Sequence, residues 1–310
     1  MNGLASMARP VSQPRGALAR LHARRTFHAY LFIAPVILLF GVFRVLPTVQ
    51  TLLMSFFRVE LLRGRFTFVG LENFGALLQD EAFRQATANT LIYVAAIVPL
   101  SAGLALLLAV LFDARFPLRA LFRAIYFAPM VTSTVAAAVV WWWMYNPQFG
   151  LFNVLLRLVH LPPQPWLMSS RTALASIILF GLWKTIGYNM IVYLAGLQAI
   201  PAQLYEAAAL DGAGAAQRFG RITFPLLAPT TTFILIYNTI LAFQVFDQVF
   251  VLTGGGPANA TNVVVLELYR QAFQRFNFGY ASAEALVLFA IILGITALQF
   301  VYSRRYEVSF

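Results

Sequence analysis

The sequence predicts an all-α membrane protein that crosses the bilayer six times, and composition and hydropathy carry this prediction. Of the 310 residues, 60% are hydrophobic and only 11% are charged, about half the charged fraction of an ordinary soluble domain. A membrane-spanning helix requires roughly 20 apolar residues. The loops, none much longer than about 30 residues, are too short for a separate hydrophobic core. The six predicted spans are 29–57, 89–112, 121–145, 172–198, 226–252 and 281–302.

The chain begins with a basic tail, residues 1–28, which holds five arginines and no acidic residue. Lys and Arg collect in the cytoplasmic loops of membrane proteins. With this tail inside, the cytoplasmic segments hold 12 basic residues and the external segments hold 8. Because six spans return the chain to the side where it began, both termini are predicted to be cytoplasmic. The net charge of +11 favours contact with anionic lipid headgroups over a nucleic-acid partner.

The first three spans contain prolines, which membrane helices tolerate because neighbouring groups satisfy the freed backbone. Each is therefore predicted to be one span, and the third covers 121–145. The outer end of the third span carries Trp141, Trp142, Trp143 and Tyr145. Such a cluster is typical of the aromatic belt at a membrane interface, and stacking against a sugar is the alternative.

The fourth span contains three polar residues that a lipid-facing helix would not carry. Such side chains usually face a cavity or a partner helix, so Tyr188 and Asn189 are candidates for lining the solute path. Lys184 is the only lysine in the chain. An anionic solute would make it a ligand, and a neutral solute would make it a structural or interfacial charge. Counted by the helical rise, Lys184 and Asp247 differ in depth, which argues against a direct ion pair.

A cytoplasmic loop, residues 199–225, separates the fourth span from the fifth and contains the sequence EAAALDGAGAAQRFGRITFP. An alanine-rich run after a proline predicts a helix over 201–210. Gly212 and Gly214 end this helix, and a second short amphipathic segment closes at Pro225. The residues alone leave open an interfacial hairpin whose arginines contact anionic lipid.

The spacing within this loop resembles the EAA loop of binding-protein-dependent ABC importer permeases. Four further segments, FVGLENF, IYFAPM, WKTIGYN and TGGGP, are similar to the carbohydrate-uptake branch of that family, which includes maltose-type and glycerol-phosphate-type systems. The resemblance implies the fold of a type I ABC importer permease over residues 29–310. The matching loop residues are Glu206, Ala207, Ala208, Gly212, Ile222 and Pro225, and Phe224 stands where the family usually has leucine.

The resemblance also implies how the loop is used. Its helix would dock on a separate ATPase subunit and transmit domain closure as a rigid body. Small side chains at Ala207 and Ala208 would allow close approach. Glu206 and Asp211 could pair with basic groups of that subunit. The implied assembly contains a second, unlike permease subunit, two copies of an ATP-binding subunit and an extracytoplasmic solute-binding protein.

The chain is not expected to hydrolyse ATP or to hold a cofactor or metal ion. The glycine triplet 254–256 is followed by a proline and lacks the lysine of a phosphate-binding loop. It is predicted to be an external turn facing the binding protein. There are no cysteines, and the three histidines are too dispersed for a metal site.

The fifth span supplies further candidates for the solute path. Gln244, Asp247 and Gln248 follow the i, i+3, i+4 spacing of one helical face, and Asn238 precedes them. These groups could bind a sugar together with nearby aromatic rings, or could hold the partner permease through interhelical hydrogen bonds. In the sixth span, Glu284 is expected to reach headgroup water at the outer surface.

The sequence therefore predicts a permease subunit of an ATP-driven importer that moves a sugar, a polyol or a sugar phosphate by alternating access. A carbohydrate or polyol is favoured, because Arg44 and Lys184 are the only cationic residues within the spans apart from Arg123, which lies at the very start of the third. The alternative is an ion- or proton-coupled secondary carrier in which Asp247 and Glu284 titrate. An intramembrane enzyme is unsupported, since the spans carry neither a metal motif nor a Ser/His/Asp set.

Overall fold

The computed structural model describes residues 30–60, 64–113 and 119–303. The predicted basic tail, 1–28, lies outside the described residues. The chain divides into two units at residue 53. The described part of the first unit belongs to one helix, α1 (Tyr30–Met54).

The second unit is almost entirely helical, which confirms the all-α prediction. Its one ribbon pairs β1 (Phe57–Glu60) with β2 (Arg65–Phe68) in antiparallel fashion. The helices are α2 (Glu72–Gln79), α3 (Glu81–Asp113), α4 (Arg119–Val131), α5 (Thr134–Met144), α6 (Leu151–Leu158), α7 (Ala173–Gln198), α8 (Ala202–Leu210), α9 (Ala215–Leu226), α10 (Ala228–Phe243), α11 (Asp247–Leu252), α12 (Val264–Tyr269) and α13 (Phe278–Ser303).

Four helices, α1, α3, α7 and α13, are each long and apolar enough to cross a membrane. Two bent pairs bring the number of spans to six: α4 with α5 at 102°, and α9 with α10 at 61°. The predicted count of six therefore holds when each bent pair is one span.

The third predicted span, 121–145, is wrong as a single helix because the chain bends after Val131. Pro129 lies inside the last turn of α4, where its ring and missing N–H weaken the helix. Ser133 then starts α5, accepting a hydrogen bond from the N–H of Ala136 at 3.5 Å. Helix α4 nevertheless extends two residues past Pro129 and ends at Val131.

Prolines 47 and 225 are accommodated differently, each directly after a wide turn. The N–H of Phe224 bonds to the carbonyl of Phe219 five residues earlier, and Pro225 follows. A π-turn of this kind displaces the carbonyl that a proline ring would otherwise strike. Helix α9 therefore continues through Pro225 to Leu226, one residue beyond the predicted end of the second amphipathic segment. The same arrangement precedes Pro47 in α1, where a π-turn covers Gly41–Val45.

The core of the second unit forms where α7 packs against α3 and α4, and where α10 packs against α3 and α13. Gly187 sets the closest approach, because a Cβ atom there would lie 1.8 Å from the carbonyl oxygen of Tyr126 in α4. Gly279 does the same for α13, with a Cβ position 1.9 Å from the carbonyl oxygen of Phe57. At both glycines, the backbones of two elements are therefore in direct contact.

The predicted aromatic belt is only partly correct. Trp142 and Trp143 are exposed, whereas Trp141 is buried. Its ring centre lies 5.4 Å from that of Phe180 and 5.2 Å from that of Trp183. Helix α5 packs against α11, so one face of its tryptophan run enters the core.

Polar contacts stabilise the end of the second unit that contains the β1–β2 ribbon. Asp80 caps α3 by accepting from the N–H of Ala82 at 2.8 Å, and it also accepts from the hydroxyl of Tyr280 at 2.6 Å. Asn89 donates to the carbonyls of Asn259 and Asn262, both at 2.9 Å. The loop that contains the predicted external turn is thereby held against α3.

Glu284 corrects another expectation. Its side chain is fully buried and does not reach headgroup water. Within the part of the chain that the structure describes, neither carboxylate oxygen has a hydrogen-bond partner. The neighbouring acid Glu267 is also buried but is well bonded, to Asn262 at 2.8 Å and to Arg275 at 3.2 Å. The start of α13 is packed under α12, so a position that looks peripheral in the sequence is internal.

Candidate solute path and coupling loop

A cavity of about 280 Å³ lies where α10 ends, bounded by α3, α7 and the segment that joins α10 to α11. Four of the residues predicted to line the solute path line this cavity: Asn238, Gln244, Asp247 and Gln248.

The predicted reason for this clustering is wrong. Gln244, Asp247 and Gln248 do not share a helical face, because α10 stops at Phe243 and α11 begins only at Asp247. Phe246, between them, has φ −145° and ψ −64°. The break itself turns these side chains towards the cavity.

Two of the amides are committed to contacts inside the chain. Asn238 donates to the hydroxyl of Ser101 at 3.1 Å, and Gln248 donates to the hydroxyl of Tyr93 at 2.6 Å. Both amides are buried, so they hold α10 and α11 against α3. Gln244 and Asp247 are exposed to the cavity, and within the described residues their side chains make no hydrogen bond or ion pair. These two side chains are therefore available to contact a solute.

Lys184 borders the same cavity. Its Nζ donates to the carbonyl of Pro129 at 2.7 Å and to that of Thr132 at 2.6 Å. These carbonyls belong to the end of α4, where a helix leaves acceptors without partners. Lys184 thus stabilises the bend of the third span, and two of its three N–H donors are occupied.

Tyr188 and Asn189 do not line this cavity. The ring of Tyr188 instead packs on Tyr237 with 5.2 Å between ring centres. Asn189 is fully buried, and neither its amide nitrogen nor its amide oxygen has a hydrogen-bond partner in the described ranges. The structure therefore separates the two fourth-span candidates from those of the fifth.

Helix α3 also contributes to the cavity, which was not predicted from the sequence. Tyr93, Ile97 and Ser101 all line the cavity, and their spacing of four residues places them on one face of the helix. The sequence signal for this face is the pair of polar residues Tyr93 and Ser101, which lie eight positions apart in an apolar span.

The loop 199–225 has the predicted shape of helix, glycine turn and helix. Helix α8 ends in a turn in which the N–H of Gly212 bonds to the carbonyl of Ala209 at 3.1 Å and that of Ala213 bonds to the carbonyl of Ala208 at 2.8 Å. This is a Schellman motif, which requires a left-handed residue, and Gly212 supplies it with φ +77°. Gly214 then begins α9.

The predicted coupling residues lie mostly on the surface of this chain. Glu206, Ala207, Asp211, Gly212 and Pro225 are exposed, and Ala208 and Ile222 are half-buried. Leu210 is 90% exposed, which is unusual for a leucine that ends a helix. The outer face of α8 is therefore available for a partner surface.

No group of three or more His, Cys, Asp or Glu residues in the described ranges could hold a metal ion. Broken spans around a polar cavity, together with an exposed helical loop, define the class of the molecule as a membrane transport permease.

The chain belongs to the family of binding-protein-dependent transport system inner membrane components, whose model matches residues 101–308. This confirms the resemblance seen in the loop. The family is a transport component of the inner membrane and not an enzyme. ATP hydrolysis belongs to a separate subunit.

Relatives match nearly the whole chain. The sn-glycerol-3-phosphate transport system permease protein UgpA of Brucella suis is 39% identical over 277 residues, which is 89% of this chain and 94% of the relative. The trehalose/maltose transport system permease protein MalF of Thermococcus litoralis is 36% identical over 281 residues, or 90% and 94% of the two chains.

A solved structure has the same fold. The bacterial alginate ABC transporter in complex with an alginate pentasaccharide-bound periplasmic protein contains a chain that is 26% identical, with a TM-score of 0.80. The match covers 91% of this chain and 96% of that one. The predicted fold of a type I ABC importer permease is thereby confirmed.

Proposed function

We propose that this permease carries a sugar, a related polyol or a sugar phosphate by alternating access, through the cavity at the end of α10. The observation that carries the proposal is the pair of unengaged polar groups in that cavity, Gln244 and Asp247, beside aromatic and apolar walls. Small-molecule sites commonly combine a few placed polar groups with apolar walls. The names of the relatives, which transport glycerol 3-phosphate, trehalose and maltose, support the same substrate range.

Within this range the cavity favours a neutral polyhydroxyl solute over a phosphate. Its one lysine, Lys184, already donates to two carbonyls, which leaves one N–H for a solute. Asp247 faces the same space and would repel an anion, and such repulsion is strong where water is excluded. An amide such as Gln244 can both donate to and accept from sugar hydroxyls.

The proposed assembly pairs this chain with a second, unlike permease subunit, two copies of an ATP-binding subunit and an extracytoplasmic solute-binding protein. The exposed outer face of α8, with Glu206 and Asp211 at its surface, would contact the ATP-binding subunit. In this arrangement the loop 199–225 and both termini are cytoplasmic. No resident cofactor is proposed for this chain.

The proposal is tested with the assembled importer in membrane vesicles, using radiolabelled trehalose, maltose and sn-glycerol 3-phosphate as probes. Uptake should require ATP and the binding protein, and it should survive an ionophore that collapses the proton gradient. Uptake that stops with the gradient while ATP remains would establish the secondary carrier instead.

Asp247 tests the preference for a neutral solute. Asp247→Asn should raise phosphate uptake relative to trehalose and maltose uptake several-fold, because it removes the like charge. Glu72→Gln, a carboxylate-to-amide change at an exposed residue outside the cavity, is the matched control. Equal ratios in wild type and Asp247→Asn would refute the electrostatic selection.

A further inference from the structure

Helix α8 is joined to the rest of the chain by its backbone and by one side-chain hydrogen bond between two hydroxyl groups. The hydroxyl of Tyr205 lies 2.9 Å from Oγ1 of Thr223. In the described part of the chain, this is the one side-chain hydrogen bond that joins α8 to another element. Tyr205 is half-buried and Thr223 is buried, so the contact is shielded from water.

The arrangement of α8 places this contact on its inner face. Tyr205 and Ala208 are three residues apart, which is the spacing of neighbours on one face, and both are half-buried. Glu206, Ala207 and Leu210 are exposed. One face of α8 therefore meets the chain, and the other is presented outwards.

Thr223 occupies a junction between the loop and the cavity. It is the last residue of the π-turn in α9, and its carbonyl accepts from the N–H of Leu227 at 3.0 Å. Leu227 is fully buried and stands at the 61° bend between α9 and α10. From there α10 runs to Asn238 and to the break that forms the cavity.

The backbone alone would make a loose connection. Residues 211–214, which join α8 to α9, include two glycines. Gly212 and Gly214 have open space where a Cβ would stand, so the packing around them does not restrain the turn. Helix α8 is also continuous with α7 through residues 199–201, so without a further contact it can still rotate about the line that joins its two ends. The hydroxyl pair removes that freedom.

We propose that Tyr205 is a positioning residue for coupling: its hydroxyl, bonded to Thr223, fixes α8 to the start of the α9–α10 arm so that a displacement of the loop reaches the cavity. This inference rests on the proposed coupling function of the loop. Without the hydroxyl pair, α8 would rotate about the line that joins its two ends, and ATP would be hydrolysed with less solute moved.

The test measures solute taken up per ATP hydrolysed by the assembled importer in proteoliposomes. Tyr205→Phe keeps the ring and removes the hydroxyl, and Thr223→Val removes the other member of the pair. Each should lower the ratio about two- to tenfold, the range that corresponds to one neutral hydrogen bond. The double variant should lose no more than the more strongly affected single variant, because both changes break the same hydroxyl pair. Thr223→Val also removes a longer bond, from the Thr223 hydroxyl to the carbonyl of Arg218 at 3.5 Å.

Three controls separate coupling from stability and from the proposed function. Thr223→Ser keeps the hydroxyl and should restore the ratio. Tyr145→Phe removes a hydroxyl that donates to the carbonyl of Ser176 at 2.7 Å, and should alter thermal stability but not the ratio. Glu206→Lys reports on the loop itself, because it reverses a charge on the outer face of α8.

Unchanged ratios in Tyr205→Phe and Thr223→Val overturn the inference, as does an additive loss in the double variant. If Glu206→Lys uncouples while those two do not, the loop still acts in coupling and only the hydroxyl pair is refuted. If Glu206→Lys also couples normally, the proposed use of the loop fails together with the inference.

Discussion

At the scale of single residues, the buried carboxyl groups of Glu267 and Glu284 differ in their hydrogen bonds. Glu267 binds Asn262 and Arg275, whereas neither oxygen of Glu284 has a hydrogen-bond partner among the described residues. Burying an unpartnered carboxyl group costs stability.

Glu284→Gln is therefore expected to be at least as stable as the wild type, because the carboxyl group makes no hydrogen bond to the described residues that the amide would lose. The matched change Glu267→Gln should cost about 1.5 to 3 kcal/mol, since it weakens the hydrogen bonds that Asn262 and Arg275 donate to a buried carboxylate. Thermal unfolding in detergent measures both. A larger loss for Glu284→Gln than for Glu267→Gln would contradict the packing described for this end of α13.

Asp80 supplies a prediction about pH. Burial alone would raise the pKa of its carboxyl, but the hydrogen bonds from Tyr280 and from the N–H groups of Phe83 and Ala82 outweigh burial and hold the pKa below its ordinary value. A depressed pKa means that the ionised form stabilises the fold. This contribution is complete above the ordinary pKa of about 4 and is lost as pH falls through the lower folded-state value.

Asp80→Asn should lower stability by about 1 kcal/mol at neutral pH, as expected for loss of a helix cap and a hydroxyl contact. The difference between wild type and variant should shrink at pH values below about 4. Unfolding curves recorded over this range provide the measurement. A difference that stays constant as the solution is acidified would show that the charge of Asp80 is not involved.

At the scale of elements, the contact between α7 and α4 depends on a missing side chain. Gly187→Ala would place a Cβ 1.8 Å from a backbone oxygen, which cannot be relieved by rotating a side chain. We expect a loss of about 3 kcal/mol or more, as for severe overpacking. Gly294→Ala in α13 is the control, because open space surrounds it and alanine favours helix. Equal stability of the two variants would refute the close approach.

The turn between α8 and α9 gives a second prediction at this scale. Proline cannot adopt the φ of +77° found at Gly212, so Gly212→Pro should break the Schellman turn and reduce solute uptake per ATP. Gly214 has φ −69° and free space around it, so Gly214→Ala should transport like the wild type. Both variants should still insert in the membrane. Normal coupling in Gly212→Pro would show that the turn geometry is dispensable.

At the scale of the whole molecule, the number of spans, the helical loop and its glycine turn could be predicted from sequence. These features depend on composition and local propensity. The breaks after Val131 and Phe243 could not, because the hydropathy remains high through both. The wrong helical face assigned to Gln244 and Asp247 follows from the same cause.

Long-range packing explains the remaining errors. The burial of Glu284 depends on α12 covering the start of α13, and the contact between Tyr205 and Thr223 joins residues 18 positions apart. No local pattern encodes either. The separation of Tyr188 and Asn189 from the cavity likewise depends on how α7 is rotated against its neighbours.

The orientation of the whole chain has a direct test, because the protein contains no cysteine. Ala216→Cys in the loop and Ser170→Cys before α7 each introduce one thiol at an exposed position. A membrane-impermeant maleimide should label Ser170→Cys in intact cells and Ala216→Cys only after the inner membrane is opened. The opposite pattern would reverse the proposed topology.

The ammonium group of Lys184 rests on main-chain oxygens, and this has an evolutionary consequence. Substituting the neighbouring side chains does not remove a backbone carbonyl. Mutations at those positions therefore leave the two hydrogen bonds of Lys184 in place as long as the bend is kept. The side chain of Asp247, by contrast, makes no hydrogen bond or ion pair with the described residues. A single codon change at this position would therefore alter the charge of the cavity without disturbing the bend between α4 and α5.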